Sequence, residues 1–172
     1  MKVLHTADWH LGKRLGSHSR IEEQKEVLEE ISQIADNESV PVIILAGDCF
    51  FAINPSTEAI ELFYKALKKL SKNGERLVVA IAGNHDSPDR LEAPDPLAKE
   101  CGILFVGQPM QTVAKITLDS GISITESMPG FCEISVPDSQ TPLRLLLTPY
   151  ANKQRFSLAL KTGDDDKDFS DA

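Results

Sequence analysis

Leu77-Val78-Val79-Ala80-Ile81-Ala82-Gly83-Asn84-His85-Asp86 is an apolar run that stops abruptly in a polar turn. An unbroken run of this length suits a strand buried on both faces, and Gly, Asn and Asp are residues that turns select. Histidine has no such reason to stand there. The same design occurs twice upstream: residues 42–45 lead through Ala46 into Gly47-Asp48, and residues 2–6 lead through Ala7 into Asp8-Trp9-His10. Two helical patterns separate the three runs. Ser19-Arg20-Ile21-Glu22 has the form of a capping box, and Ile21, Val27, Leu28, Ile31, Ile34 and Ala35 then follow a period near 3.6, with Glu22, Glu23, Glu26, Glu29 and Glu30 on a solvated face. Asn54-Pro55-Ser56 opens the second helix, whose stripe is Ile60, Phe63, Tyr64, Leu67 and Leu70 and whose end is Asn73-Gly74. Strand, helix, strand, helix, strand predicts an α/β fold around a parallel sheet with right-handed crossovers.

After Asp86 the pattern loosens. Pro88, Pro94 and Pro96 flank short helical pieces, and Ile103–Val106 is expected as a fourth strand. Beyond it, residues 113–118, 122–125, 131–136 and 143–148 are short apolar or alternating runs between turn residues, which predicts antiparallel strands packed beside the first sheet. A length of 172 residues at 41% hydrophobic can enclose one core. One domain is therefore expected over residues 1–161. Residues 162–172 carry five aspartates against Lys167 and are expected to form a disordered acidic tail. No run of apolar residues is long enough to span a bilayer and the start has no secretory pattern, so the expected location is the cytoplasm. Cys49, Cys101 and Cys132 form no CxxC pair, which argues against a disulfide framework or a thiolate zinc site.

The chemistry-bearing residues collect where the first three strands end, and open parallel sheets bind ligands outside those ends. Asp8 and His10, two residues apart, would face the same side of an extended chain and reach one cation. Asp48 offers a carboxylate that two cations can share, and Asn84 and His85 add an amide oxygen and an imidazole. Each piece has a plain reading: Asp-x-His caps a turn, Gly-Asp is commonplace, and Gly-Asn-His-Asp is a turn. Their occurrence at three consecutive strand ends favours a metal site. The net charge of −8 does not exclude a phosphate-bearing partner, because the first twenty residues hold Lys2, Lys13, Arg14 and Arg20 against Asp8 alone. Lys13 and Arg14 follow the first motif directly and are candidates for phosphate contacts. His5 is expected to pack and His18 to face solvent.

Asp-x-His, Gly-Asp and Gly-Asn-His-Asp resemble the first three signatures of the calcineurin-like metallophosphoesterases. The longer strings 5–12, 46–50 and 82–87, with Leu146 to Tyr150 further on, resemble the DNA-nuclease branch of that family. The likeness is plain over about residues 1–110 and thinner afterwards. It implies a four-layer αββα sandwich, incomplete at the C-terminus, and two divalent cations, Mn²⁺ in the usual case. Asp8, His10, Asp48 and Asn84 would be ligands, with Asp48 bridging and His85 acting as general acid or orienting donor. It also implies action on DNA ends, a homodimer, and a partner ATPase with a long coiled coil. Two features depart from the family. Phe51 stands where many nuclease relatives carry an acidic residue, and the later His and Gly-His-x-His ligands have no counterpart, because His5, His10, His18 and His85 are the only histidines. The 172 residues alone are accordingly expected to be inactive. A non-catalytic fragment with a partial metal site, and a small-molecule phosphatase or cyclic-nucleotide phosphodiesterase of the same family, are the alternative readings.

Overall fold

A computed structural model describes residues 1–161; the expected acidic tail lies outside the described residues. The strands are β1 (Val3–Thr6), β2 (Arg14–Leu15), β3 (His18–Ser19), β4 (Val42–Ala46), β5 (Leu77–Ile81), β6 (Ile103–Val106), β7 (Ser123–Met128), β8 (Phe131–Ser135) and β9 (Leu143–Leu146). The helices are α1 (Ile21–Asn37), α2 (Thr57–Ser71), α3 (Pro88–Glu92), α4 (Asp95–Glu100) and α5 (Lys153–Lys161). Strands β1, β4, β5 and β6 form a parallel sheet in that order, and β7, β8 and β9 form a separate antiparallel sheet.

Period-2 alternation divides the parallel strands between two cores. Ile43, Leu45, Val78, Ala80, Ile103 and Phe105 point to the helices, where they meet Leu28, Ala35, Phe63, Leu67 and Leu70. Val42, Leu77, Val79, Leu104 and Val106 point the other way and pack on Ile124, Cys132, Ile134 and Leu147 of the antiparallel part. Burial on both faces is why these strands read as unbroken apolar runs. The described layers are therefore helix, parallel sheet, antiparallel sheet. The outer face of the second sheet, with Glu133 paired to Arg144 and Leu146 77% exposed, carries no helical layer among the described residues.

Several local expectations need correction. The capping box does not form: Arg20 is the N-cap residue of α1 with no side-chain cap, and Ser19 is instead paired with Arg14 in the β2–β3 ribbon. Val27 and Ile34 lie off the buried face of α1, which runs through Ile21, Leu28, Ser32 and Ala35. Residues 113–118 form no named strand; Thr117 makes one isolated bridge to Ser123, while Val113 and Leu118 still reach the second core. His5 is exposed because β1 is an edge strand. Ser56 does cap α2 as expected, accepting from the Ala59 N–H at 3.3 Å.

Arg76, buried just before β5, joins the helical layer to the sheet. Its guanidinium donates to the carbonyls of Val40, Leu70 and Ala35 and to the Asp36 carboxylate at 2.9 Å. That contact holds the Asp36 carboxyl below its usual range. Arg76→Met would take the guanidinium donor from the Val40 and Leu70 carbonyls and leave Ala35 O with the Val40 N–H, so we expect urea unfolding to report a loss of about 3 kcal/mol with an unchanged m-value.

Candidate metal centre

The parallel pairing of β1 and β4 continues past the strand ends and aligns the first two loops. Asp8 N–H donates to Gly47 O (3.1 Å), His10 N–H to Asp48 O (2.9 Å), and Leu11 N–H to Cys49 O (3.0 Å). The third loop is tied on by Asp86, which is 1% exposed and accepts from Gly83 N–H (2.8 Å), Cys49 N–H (3.1 Å) and Phe50 N–H (3.0 Å). The His85 N–H donates in turn to Asp48 Oδ1 at 3.0 Å. These bonds require close packing: a Cβ on Gly83 would stand 2.0 Å from Asp48 Oδ1 and 2.2 Å from Asp48 N. Burial together with the Asp86 carboxylate pushes the neighbouring Cys49 thiol well up, which keeps it protonated and unreactive.

Asp8, His10 and Asp48 converge, though not by extended-chain alternation. All three have left-handed backbone, with φ of 57°, 44° and 49°. Such conformations cost energy for side-chain-bearing residues and persist only where the surroundings fix them, as the hydrogen bonds above do here. His10 Nε2 lies 3.7 Å from Asp8 Oδ1 and 3.8 Å from Asp48 Oδ2. His10, Asp48 and His85 each present a ligand atom within 4.8 Å of the others. Asn84, exposed, sits in the turn between Gly83 and His85, both of which touch Asp48.

The donor set fits a divalent cation. Ligand atoms about 2.1 Å from one ion are at most about 4.2 Å apart, so separations of 3.7 and 3.8 Å are too long for hydrogen bonds yet suit a shared cation. His10 Nε2 faces the two carboxylates without a hydrogen bond to either, and His10 Nδ1 on the other side of the ring is buried without a partner. Imidazole nitrogens with carboxylate and amide oxygens suit borderline first-row ions.

His85 is oriented by Phe51. Its Nδ1 lies 2.8 Å from the Phe51 carbonyl, which can only accept, so Nδ1 carries the proton and Nε2 is the free ring nitrogen. The Phe51 ring stacks on His85 with centroids 6.1 Å apart, and the Lys13 ammonium lies over the same ring at 5.8 Å. Lys13 thus stands at the mouth of the site, whereas Arg14 donates to Ser17 O within its own hairpin. His5 and His18 take no part. A cleft of about 390 Å³ between the first loop and α1 opens beside Asp8 and His10.

Three supporting residues carried no sequence signal of their role. Gln24 on α1 accepts from Gly12 N–H at 3.1 Å and donates to His10 O at 2.9 Å. Asp86 looked like a turn residue. Arg155 reaches the third loop from 69 and 72 positions away.

The family model for calcineurin-like phosphoesterase matches residues 1–144. Over 109 residues the chain is 51% identical to the SbcD component of the SbcCD nuclease of Bacillus subtilis, an alignment covering 63% of this chain and 28% of that protein. The corresponding values are 42% over 108 residues for the SbcD protein of Rhodobacter capsulatus, covering 62% and 27%, and 40% over 91 residues for that of Staphylococcus epidermidis, covering 53% and 24%. The aligned chain thus spans about a quarter of the length of these relatives.

Replacing Gly83 tests the close approach of the loops. Gly83→Ala should displace Asp48, lower stability by about 2 kcal/mol or more in urea unfolding, and abolish Mn²⁺ binding in titration calorimetry. Unchanged stability and binding would mean that the loops do not meet as described.

Proposed function

The chain belongs to the calcineurin-like phosphoesterase family, and on that premise we propose that it is part of a metal-dependent DNA nuclease, the SbcD-type component of an SbcCD-like complex that processes double-strand breaks. The observation that carries this reading is the convergence of Asp8, His10, Asp48 and His85 at three consecutive strand ends, with Asn84 in the turn beside His85.

Asp8, His10, Asp48 and Asn84 are the residues that would hold two divalent cations, Mn²⁺ in this reading. Such cations would supply an activated water and offset the charge that builds on the phosphoryl oxygens. The side chains do the rest. His85, its Nδ1–H held by the Phe51 carbonyl, directs the other ring nitrogen at the phosphate and, as the imidazolium, gives a proton from it to the leaving 3′-oxygen. Lys13 and Arg14 meet flanking phosphates and fix the strand without reading its sequence. The Asp8 side chain is 70% exposed against 12% for Asp48, which leaves the Asp8 side of the site open to a polymer.

The physiological assembly in this reading is a cytoplasmic homodimer joined to an SbcC-like ATPase on DNA ends, in repair, recombination and replication. Asp8, His10, Asp48 and Asn84 would have to be divided between two ions that each prefer about six ligands, which leaves both shells short of protein ligands. The chain alone is therefore a weak binder of metal and a poor catalyst.

Two preparations test this: the chain itself, and the chain lengthened by a family segment carrying the later His and Gly-His-x-His. The first should bind Mn²⁺ weakly and leave linear duplex DNA intact. The lengthened form should cut DNA with Mn²⁺ and lose that ability with Asp48→Ala. His85→Ala in the lengthened form should keep metal affinity while slowing turnover by roughly 10²- to 10⁴-fold. Hydrolysis of cyclic nucleotides but not DNA would favour the small-molecule reading instead, and wild-type rates in His85→Ala would remove its role as acid.

A further inference from the structure

We infer that Arg155, eleven residues beyond the end of the family match, is a positioning residue for Asn84 and His85. The inference adds to the proposed function and rests on that reading for its catalytic meaning, but its geometry stands alone. Arg155 Nη1 donates to Gly83 O at 3.1 Å and Nη2 donates to Asp86 O at 2.6 Å. Those two carbonyls bracket Asn84 and His85 in the chain, so one planar guanidinium spans the loop that carries both. A fork with fixed spacing between its N–H groups can hold two carbonyls at a set separation, which a lysine ammonium cannot do.

The fork is itself held. Nη1 also donates to Tyr150 O at 3.2 Å, and the guanidinium carbon lies 5.3 Å from the Tyr150 ring centroid. Tyr150 N–H donates to Ala82 O at 2.9 Å, so the segment that anchors Arg155 is pinned to the end of β5. Asn152 Oδ1 accepts from Arg155 N–H at 2.8 Å, an N-terminal cap that sets where α5 begins and where Arg155 stands on it. The loop is thus gripped from two directions. Asp86 ties it by its side chain to the Cys49 and Phe50 amides, and Arg155 ties its carbonyls to the chain after β9. Without Arg155, His85 would keep its bonds to Asp48 and the Phe51 carbonyl, but the peptide planes that carry the Gly83 and Asp86 carbonyls would lose their tie. With both ties, the planes on either side are fixed.

Hydrogen exchange on the metal-free chain reads this directly, independently of any activity. In Arg155→Met, the Gly83 and His85 amides should exchange at least about tenfold faster, while the amides of Ile43, Leu45, Val78 and Ala80 keep wild-type rates. Arg155→Lys should fail to restore protection, and Asn152→Ala should shift the same two amides in the same direction by less. Mn²⁺ affinity measured by calorimetry should fall in step in the Arg155 variants. If the loop amides keep their protection in Arg155→Met, or if all amides speed up together as in global destabilisation, the positioning role is overturned. Failure of the chain lengthened by the later His and Gly-His-x-His segment to bind Mn²⁺ would overturn the metal-dependent nuclease reading and the catalytic meaning of the clamp, whereas the exchange rates decide whether the clamp exists.

Discussion

The Asp86 carboxylate, buried and accepting three backbone N–H groups, is the interaction on which the site depends. Two of its donors, Cys49 and Phe50, belong to the loop after β4, and the third, Gly83, belongs to its own loop. A buried carboxylate is costly unless its lone pairs are satisfied, and three amide donors satisfy them. The same bonds bring Gly83 against Asp48 so closely that no side chain fits between. Parallel strands alone bring their ends into rough alignment. The carboxylate converts that alignment into contact.

Strain is the second consequence. Asp8, His10 and Asp48 all adopt left-handed backbone, which a free loop of these residues would seldom choose. Hydrogen bonds that extend the β1–β4 pairing past the strand ends hold Asp8 and His10 in place, and Gln24 on α1 fixes the His10 carbonyl. The geometry is thus set by the sheet, the helix layer and the third loop together. In the proposed reading, the side chains that would meet a cation are held by the fold, so little reorganisation would be needed on binding.

Much of the frame was legible in the chain. β5 and β6 coincide with the apolar runs that announced them, β1 and β4 differ by one residue, and the order of elements gave the parallel sheet. Double-sided burial makes such runs conspicuous. The misses share one cause, which is local competition. Ser19 is drawn into a two-residue ribbon with Arg14, and its hydroxyl meets only the Ile21 N–H, at 3.5 Å, so no capping box forms. Val27 and Ile34 fit the period of α1 loosely and fell outside a face set by the sheet below it. Residues 113–118 supply Val113 and Leu118 to the second core without strand pairing, since burial alone does not distinguish a strand from an extended connection.

Residue type and its place after a strand sufficed to single out Asp8, His10, Asp48, Asn84 and His85, because few pressures other than chemistry put Asp, Asn and His at three successive strand ends. Only the tertiary structure decided how Asp8, His10 and Asp48 meet, by left-handed turns instead of extended alternation, with His85 turned by the Phe51 carbonyl and its loop gripped by Arg155. The physical reason is range. Hydrophobic period and turn chemistry act over a few neighbouring residues and are written in the order of the chain, whereas a guanidinium that reaches carbonyls 69 and 72 positions away depends on where the whole sheet has carried them.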